Sequence, residues 1–192
     1  MHRPTPWAIL LVALQAPVLG CHHDPSASER QRAEIAPVRL GQALFRGDAS
    51  AAAISQLSER AGKPVNALRL TIEPHRMVLQ AQDPIHPLRV RQFKYESGVI
   101  SGPVAVRLEG GGQLEDNLFP LSELDASALP ELVAQAVRKV DPEHGKVTRI
   151  VVRRNLPESV DVRLRIYIAS PLLDSHVDAT AQGRLIEPDG RG

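Results

Sequence analysis

From Leu129 to Val140 the apolar residues Leu129, Leu132, Val133, Ala136, Val137 and Val140 recur every third or fourth position. That spacing gathers them into one stripe of a helix, with Glu131, Gln135, Arg138 and Lys139 on the other side. Pro130 suits the first turn, where its missing N–H is not needed. Asp125 or Ser127 is placed to cap the start, and Arg138 and Lys139 suit the last turn, where cations favour the helix dipole. Pro142 and Gly145 end the helix. The period then falls to two. From Val160 to Ile168 every even position is apolar and the odd ones are mostly charged, which predicts a strand with one buried and one wet face. Lys146 to Arg154 reads as a strand with Thr148, Ile150 and Val152 inward. Val177 to Ile186 reads as a third, bent at Gly183.

The first half carries the same order of parts. Ser50 to Ala61 is a helix with Ile54, Leu57 and Ala61 inward, stopped by Gly62. Strands follow at Ala67–Ile72, Arg76–Gln82 and Leu88–Tyr95. Gly62-Lys63 matches Gly145-Lys146, Leu68 and Leu70 match Ile150 and Val152, and Met77, Leu79 and Ala81 match Leu164, Ile166 and Ile168. Asp83-Pro84 matches Ser170-Pro171, and Gly98 matches Gly183. The pattern predicts an α+β fold of two tandem α-β-β-β repeats, at residues 49–101 and 126–187. Their antiparallel sheet of about six strands packs both helices on one face. Residues 102–125 connect the repeats. Val104 to Leu108 is a strand candidate there, and Leu118, Phe119 and Leu121 are expected to dip into the core. The irregular stretch 98–125 is long, and long loops often carry function.

Composition narrows the classes. Of 192 residues, 43% are apolar, which suffices for a core. Aromatic residues make up only 3%, so that core must rest on Leu, Val, Ile and Ala. A net charge of +1 argues against a nucleic-acid partner. A single cysteine excludes an intrachain disulfide and any multi-cysteine metal site.

The N-terminus has the layout of a secretory signal: Met1-His2-Arg3, then a mainly apolar run from Trp7 to Val18 too short to span a membrane. It ends in Val18-Leu19-Gly20-Cys21, which resembles the lipobox of bacterial lipoproteins. The branched Val18 sits three before the cysteine and the small Gly20 directly before it. The resemblance implies removal of residues 1–20 as a signal peptide and a diacylglyceryl group on the Cys21 sulfur. It also implies a chain held in the cell-envelope membrane, since each buried methylene contributes about 0.8 kcal/mol and two or more chains anchor stably. His22, rather than aspartate, after the cysteine implies the outer membrane, with the protein facing the periplasm. Residues 21–48 read as the lipidated N-terminus and a solvated tether, and 188–192 as a disordered tail. The α-β-β-β order at 50–187 is similar to that of PepSY-like domains and the β-lactamase-inhibitor-protein group. This implies a binding or inhibitory role and assigns no residue a part in it.

Chemistry-bearing residues are few. Cys21-His22-His23 is short of the three or four converging ligands a metal needs. Ser175, His176 and Asp178 hold the residue types of a triad but lie in one segment, where turn plus strand is the better reading. Gly110-Gly111-Gly112 lacks the Lys-Ser/Thr of a phosphate loop. Glu115, Asp116, Glu123 and Asp125 do not follow EF-hand spacing. His75, His86 and His144 sit in or beside turns. No catalytic residue, metal site or cofactor is assigned. The most informative surface is basic. Arg69, Arg149, Arg153, Arg163 and Arg165 fall at outward strand positions with Tyr167 among them, and Arg89 and Arg91 join them if their strand has that phase. Forked arginine donors suit carboxylate or other anionic partners; equally, arginine on a wet strand keeps a sheet soluble. The expectation is a lipid-anchored envelope protein acting as a non-enzymatic protein-binding or inhibitory module. Its contact would be the arginine face or the 98–125 loop, and its partner another envelope protein. The alternative is a structural or assembly component of an envelope complex.

Overall fold

The computed structural model describes residues 43–109, 112–171 and 174–187. Val18, Leu19, Gly20 and Cys21, the tether up to residue 42, and the tail 188–192 lie outside them. Helix α1 (Ala49–Ala61) and helix α2 (Leu129–Val140) stand among eight strands: β1 (Asn66–Ile72), β2 (Arg76–Gln82), β3 (Val90–Glu96), β4 (Val99–Val106), β5 (Phe119–Pro120), β6 (Lys146–Arg154), β7 (Val162–Ala169) and β8 (Ser175–Thr180). The fold is α+β, and one antiparallel sheet runs β4-β3-β2-β1-β6-β7-β8, with β5 paired to the start of β1. The two central strands meet at Leu70–Val152, Thr71–Val151 and Ile72–Ile150.

The apolar stripes do what their spacing requires. Ala53, Ile54, Leu57 and Ala61 of α1 and Leu129, Leu132 and Ala136 of α2 are buried. They join Leu70, Ile72, Met77, Leu79, Phe93, Ile150, Val152, Leu164 and Ile166 of the sheet in a single core cluster. Val133, Val137 and Val140 pack at its margin. Gly62 ends α1 at φ +95°, its N–H bonding the Ser58 carbonyl at 3.0 Å. Asp125 accepts from the Ser127 N–H at 3.0 Å and caps the turn that leads into α2. Leu118, Phe119 and Leu121 return to the core as expected, Phe119 fully buried.

Several details differ from the sequence pattern. In β6 the inward residues are Val147, Ile150 and Val152, while Thr148 is exposed. The pairing with β7 slips by one residue between Val147 and Arg149, and such an extra residue reverses the phase of everything before it. β1 slips at the same point of its pairing with β2, between Ala67 and Arg69. Its buried set is therefore Ala67, Leu70 and Ile72, with Leu68 only half-buried. The 98–125 segment is less irregular than its composition indicates. β4 takes its first part, and a helical turn at Leu114–Asn117, β5 and two 3-10 turns follow. The last strand stops at Thr180, and the chain reverses at Gly183. There φ is +78°, and an added Cβ would stand 2.5 Å from the Ala128 Cβ.

The two edges of the sheet are treated differently. The return after Gly183 lies along β8, with the Thr180 N–H on the Arg184 carbonyl at 2.9 Å and the Ile186 N–H on the Asp178 carbonyl at 2.8 Å. β4 carries Pro103, which has no N–H to offer a further strand. Among the described residues no helix is long and apolar enough to cross a membrane.

Leu57 is fully buried between α1 and the sheet, whereas Ile85 is 76% exposed. Leu57→Ala is expected to cost about 3 kcal/mol of unfolding free energy, within the usual range for a core truncation. Ile85→Ala should cost less than about 0.5 kcal/mol. Urea denaturation of the two variants checks this.

Candidate functional site

The side of the sheet away from the helices carries the arginines. Alternation along β1, β6 and β7 puts Arg69, Arg149, Arg153, Arg163, Arg165 and Tyr167 on it, opposite the buried Leu70, Ile150, Val152, Leu164 and Ile166. All five arginines are therefore where the sequence pattern puts them. Arg91 is not among them. Its Nε lies 3.4 Å from Asp83, its guanidinium reaches the Ala61 carbonyl at 3.4 Å and sits 5.6 Å from the centre of the Phe93 ring, so it belongs to the helix side. Arg89 lies in the turn before β3 and does not join the face.

The cations of this face divide into two groups. One group is satisfied. Arg165 makes a two-pronged bond to Asp178, both at 2.9 Å. Arg76 pairs with Glu73 at 2.7 Å and Lys94 with Glu96 at 2.8 Å. The Arg149 guanidinium lies 4.3 Å over the Tyr167 ring, which in turn is 6.1 Å from the His176 ring. The second group is Arg69, Arg153 and Arg163, which make no ion pair or hydrogen bond among the described residues. Arg153 and Arg163 are direct cross-strand partners in the β6–β7 ladder. Arg69 and Arg153 lie one residue beyond the last rung of the β1–β6 ladder, and they line the same hollows. Three neighbouring strands thus present arginine side by side. Like charges directly opposite one another destabilise a sheet, so this row is a local cost, eased at Arg163 by the nearby Asp178 carboxylate.

A hollow of about 510 Å³ opens at this row. Its floor is Leu68, Arg69, Gln80 and Arg153, and its wall is Val106, Arg107, Leu108, Leu114 and Asn117 from the segment after β4. Arg154 and Leu156 close the end. Arg154 is committed to structure, its Nε donating to the Leu118 carbonyl at 2.6 Å and its Nη1 to the Val160 carbonyl. A shallower depression of about 310 Å³ continues from Arg69 and Arg153 toward Thr71, Arg149, Arg165 and Tyr167. The two regions singled out from the sequence, the arginine face and the 98–125 stretch, are therefore two walls of one trough. Sequence periodicity found the first wall. It missed Arg107 and the apolar side chains of the second, because no periodic signal says which way a connecting segment folds back.

The other candidates fall apart. His176 and Asp178 share the open face but Asp178 is held by Arg165, and Ser175 points to the opposite side of its strand. His86 and His144 lie in turns shaped by Asp83 and Asp141, whose carboxylates accept backbone N–H groups. Among the described residues no group of three His, Cys, Asp or Glu side chains converges on a point. Comparison with family models, with curated proteins and with solved structures finds no match to this chain.

The bond from Arg165 holds the Asp178 carboxyl below the usual carboxylate range, helped by the charges of Arg165, His176 and Arg163 and opposed by partial burial. A depressed folded pKa contributes stability above the unfolded value of about 3.9, and that contribution is lost as pH falls through the lower folded value. Asp178→Asn should lower stability near neutral pH by about 1 kcal/mol. The difference from the parent chain should shrink in urea melts as pH falls below about 3.9 toward the lower folded value, where the folded carboxylate takes up its proton. Arg153→Gln, by contrast, should raise the melting temperature, because it removes a like-charge neighbour of Arg163.

Proposed function

We propose that this chain is a lipid-anchored protein of the bacterial cell envelope that captures another envelope protein in the trough on its open sheet face. The capture is non-enzymatic and binding or inhibitory in kind. Arg69, Arg149, Arg153, Arg163, Arg165 and Tyr167 form the strand side of the contact, and the segment after β4 forms the other. The observation that carries this reading is the run of three adjacent, unpaired arginines beside a hollow with an apolar wall. A sheet face that only needed to stay soluble would gain more from mixed charge, as its neighbouring rows have. Cys21 bears the lipid and becomes the first residue after cleavage behind Gly20, within the Val18-Leu19-Gly20-Cys21 motif. The protein faces the periplasm from the outer membrane. No cofactor and no nucleic acid enter this reading.

The body of the protein is, in the same proposal, a duplicated α-β-β-β unit. The strand order supports it: β3-β2-β1 on one side of the centre is matched by β6-β7-β8 on the other. Support comes also from the register slip that β1 and β6 share, each followed at once by an arginine, Arg69 and Arg149. β4 would then be an addition to the first unit that brings the second wall of the trough.

Two measurements test the proposal. Metabolic labelling with a radioactive fatty acid should mark the chain, and Cys21→Ser should abolish the label. A photo-crosslinking residue at position 153 should trap one envelope protein in living cells, while the same residue at position 138 on α2 should not. Equal trapping at both positions, or none at 153, would remove the trough as the contact surface. Stoichiometric trapping of many subunits of one large complex would favour a bracing role instead.

A further inference from the structure

Resting on that reading, we infer that the trough binds an extended acidic segment of the partner: two carboxylate side chains at alternate positions, followed by an apolar side chain that enters the hollow beside Leu68, Leu114 and Leu156. The geometry points to this chemistry in three steps. Neighbouring strands lie about 4.8 Å apart, so Arg69, Arg153 and Arg163 span about 10 Å across the sheet. An extended chain sets side chains of one face about 7 Å apart, so acids at positions i and i+2 both fall within reach of the row. Each forked guanidinium can then accept a carboxylate edge-on. Next to Arg69 and Arg153, Leu68, Val106, Leu108, Leu114 and Leu156 line the same hollow, interspersed with Arg107, Glu109, Gln113 and Asn117. An acid–apolar segment matches that sequence of surfaces, cation row first and apolar end second.

Other anionic partners fit less well. The rows beside Arg69, Arg153 and Arg163 hold the carboxylates of Glu73 and Asp178. A nucleic acid or another uniformly charged polymer would meet those acids on either side. Arg69 and Arg153 also line a trough walled by Val106, Arg107 and Leu108, with Arg163 beside Arg153 on the next strand. A planar anionic lipid surface would likewise meet the Glu73 and Asp178 carboxylates beside the row.

The test uses the full-length protein purified in detergent. The probe is a fluorescent peptide with glutamates at two alternate positions and a leucine two positions further on, read by anisotropy at low salt. Controls replace both glutamates by glutamine, or the leucine by serine. The glutamate peptide is expected to bind at least tenfold more tightly than its glutamine counterpart, and to weaken as salt is raised. Arg153→Gln should weaken it at least tenfold, and Arg138→Gln should not. Leu156→Ser should weaken the leucine peptide several-fold and leave the serine peptide unchanged. Arg153 is exposed and Arg153→Gln removes repulsion, so loss of binding there is not loss of fold; thermal melts of each variant verify this. Equal binding of the glutamate and glutamine peptides overturns the inference. So does capture of phosphatidylglycerol vesicles by a protein that ignores the peptides. If crosslinking at position 153 still traps a partner while the peptides are not discriminated by charge, the contact surface stands and the acidic segment falls.

Discussion

Three backbone rungs between β1 and β6, at Leu70–Val152, Thr71–Val151 and Ile72–Ile150, make one sheet out of strands contributed by distant parts of the chain. Everything else is aligned by that ladder. Because side chains alternate strictly along a strand, fixing Leu70 beside Val152 puts Ile72 beside Ile150 on the helix side and Thr71 beside Val151 on the other. α1 and α2 then cover one continuous apolar surface instead of two small ones. The same register carries Arg69 up to Arg153. A slip of one residue would bury these arginines and expose Leu70 and Ile72, which burial energy forbids. The core thus chooses the register, and the register creates the cation row.

That row is a cost borne on the wet side for an arrangement chosen on the dry side. Elsewhere on the face four cations have found a compensating group: Asp178 for Arg165, Glu73 for Arg76, Glu96 for Lys94, the Tyr167 ring for Arg149. Polar neighbours such as Gln80 and Gln92 bond to one another at 3.1 Å. Against this background, three arginines in line without an ion pair or hydrogen bond among the described residues stand apart. Local features that lower stability without a structural return are the usual mark of a surface kept for something else.

Much of this was legible in the sequence. The two helices, β1, β2, β3, β6 and β7 follow from periodicity, because long amphipathic patterns leave little choice of partner face. The outward placement of Arg69, Arg149, Arg153, Arg163 and Arg165 follows from the same alternation. What escaped was local and non-periodic. The slips at Ala67 and Val147 reverse the phase within a strand, so Thr148 and Leu68 looked inward when Val147 and Ala67 are the buried residues. The side taken by Arg91 stayed open in the sequence because the phase of β3 is set by its rungs to β2, such as Leu79–Phe93, and not by its own mixed composition. β4 was obscured by Gly102-Pro103, which reads as a turn but here lies within an edge strand.

The treatment of the two borders of the sheet bears on how copies of the chain behave when crowded together. On one side the hydrogen-bonding positions around Asp178 and Thr180 are already taken by the chain's own return through Arg184 and Ile186. On the other, Pro103 interrupts the row of donors. Neither flank gives a neighbouring molecule an unbroken template on which to add a strand. Crowded copies can thus stay separate particles and not zip into fibrils, even though each exposes a broad β-structured face.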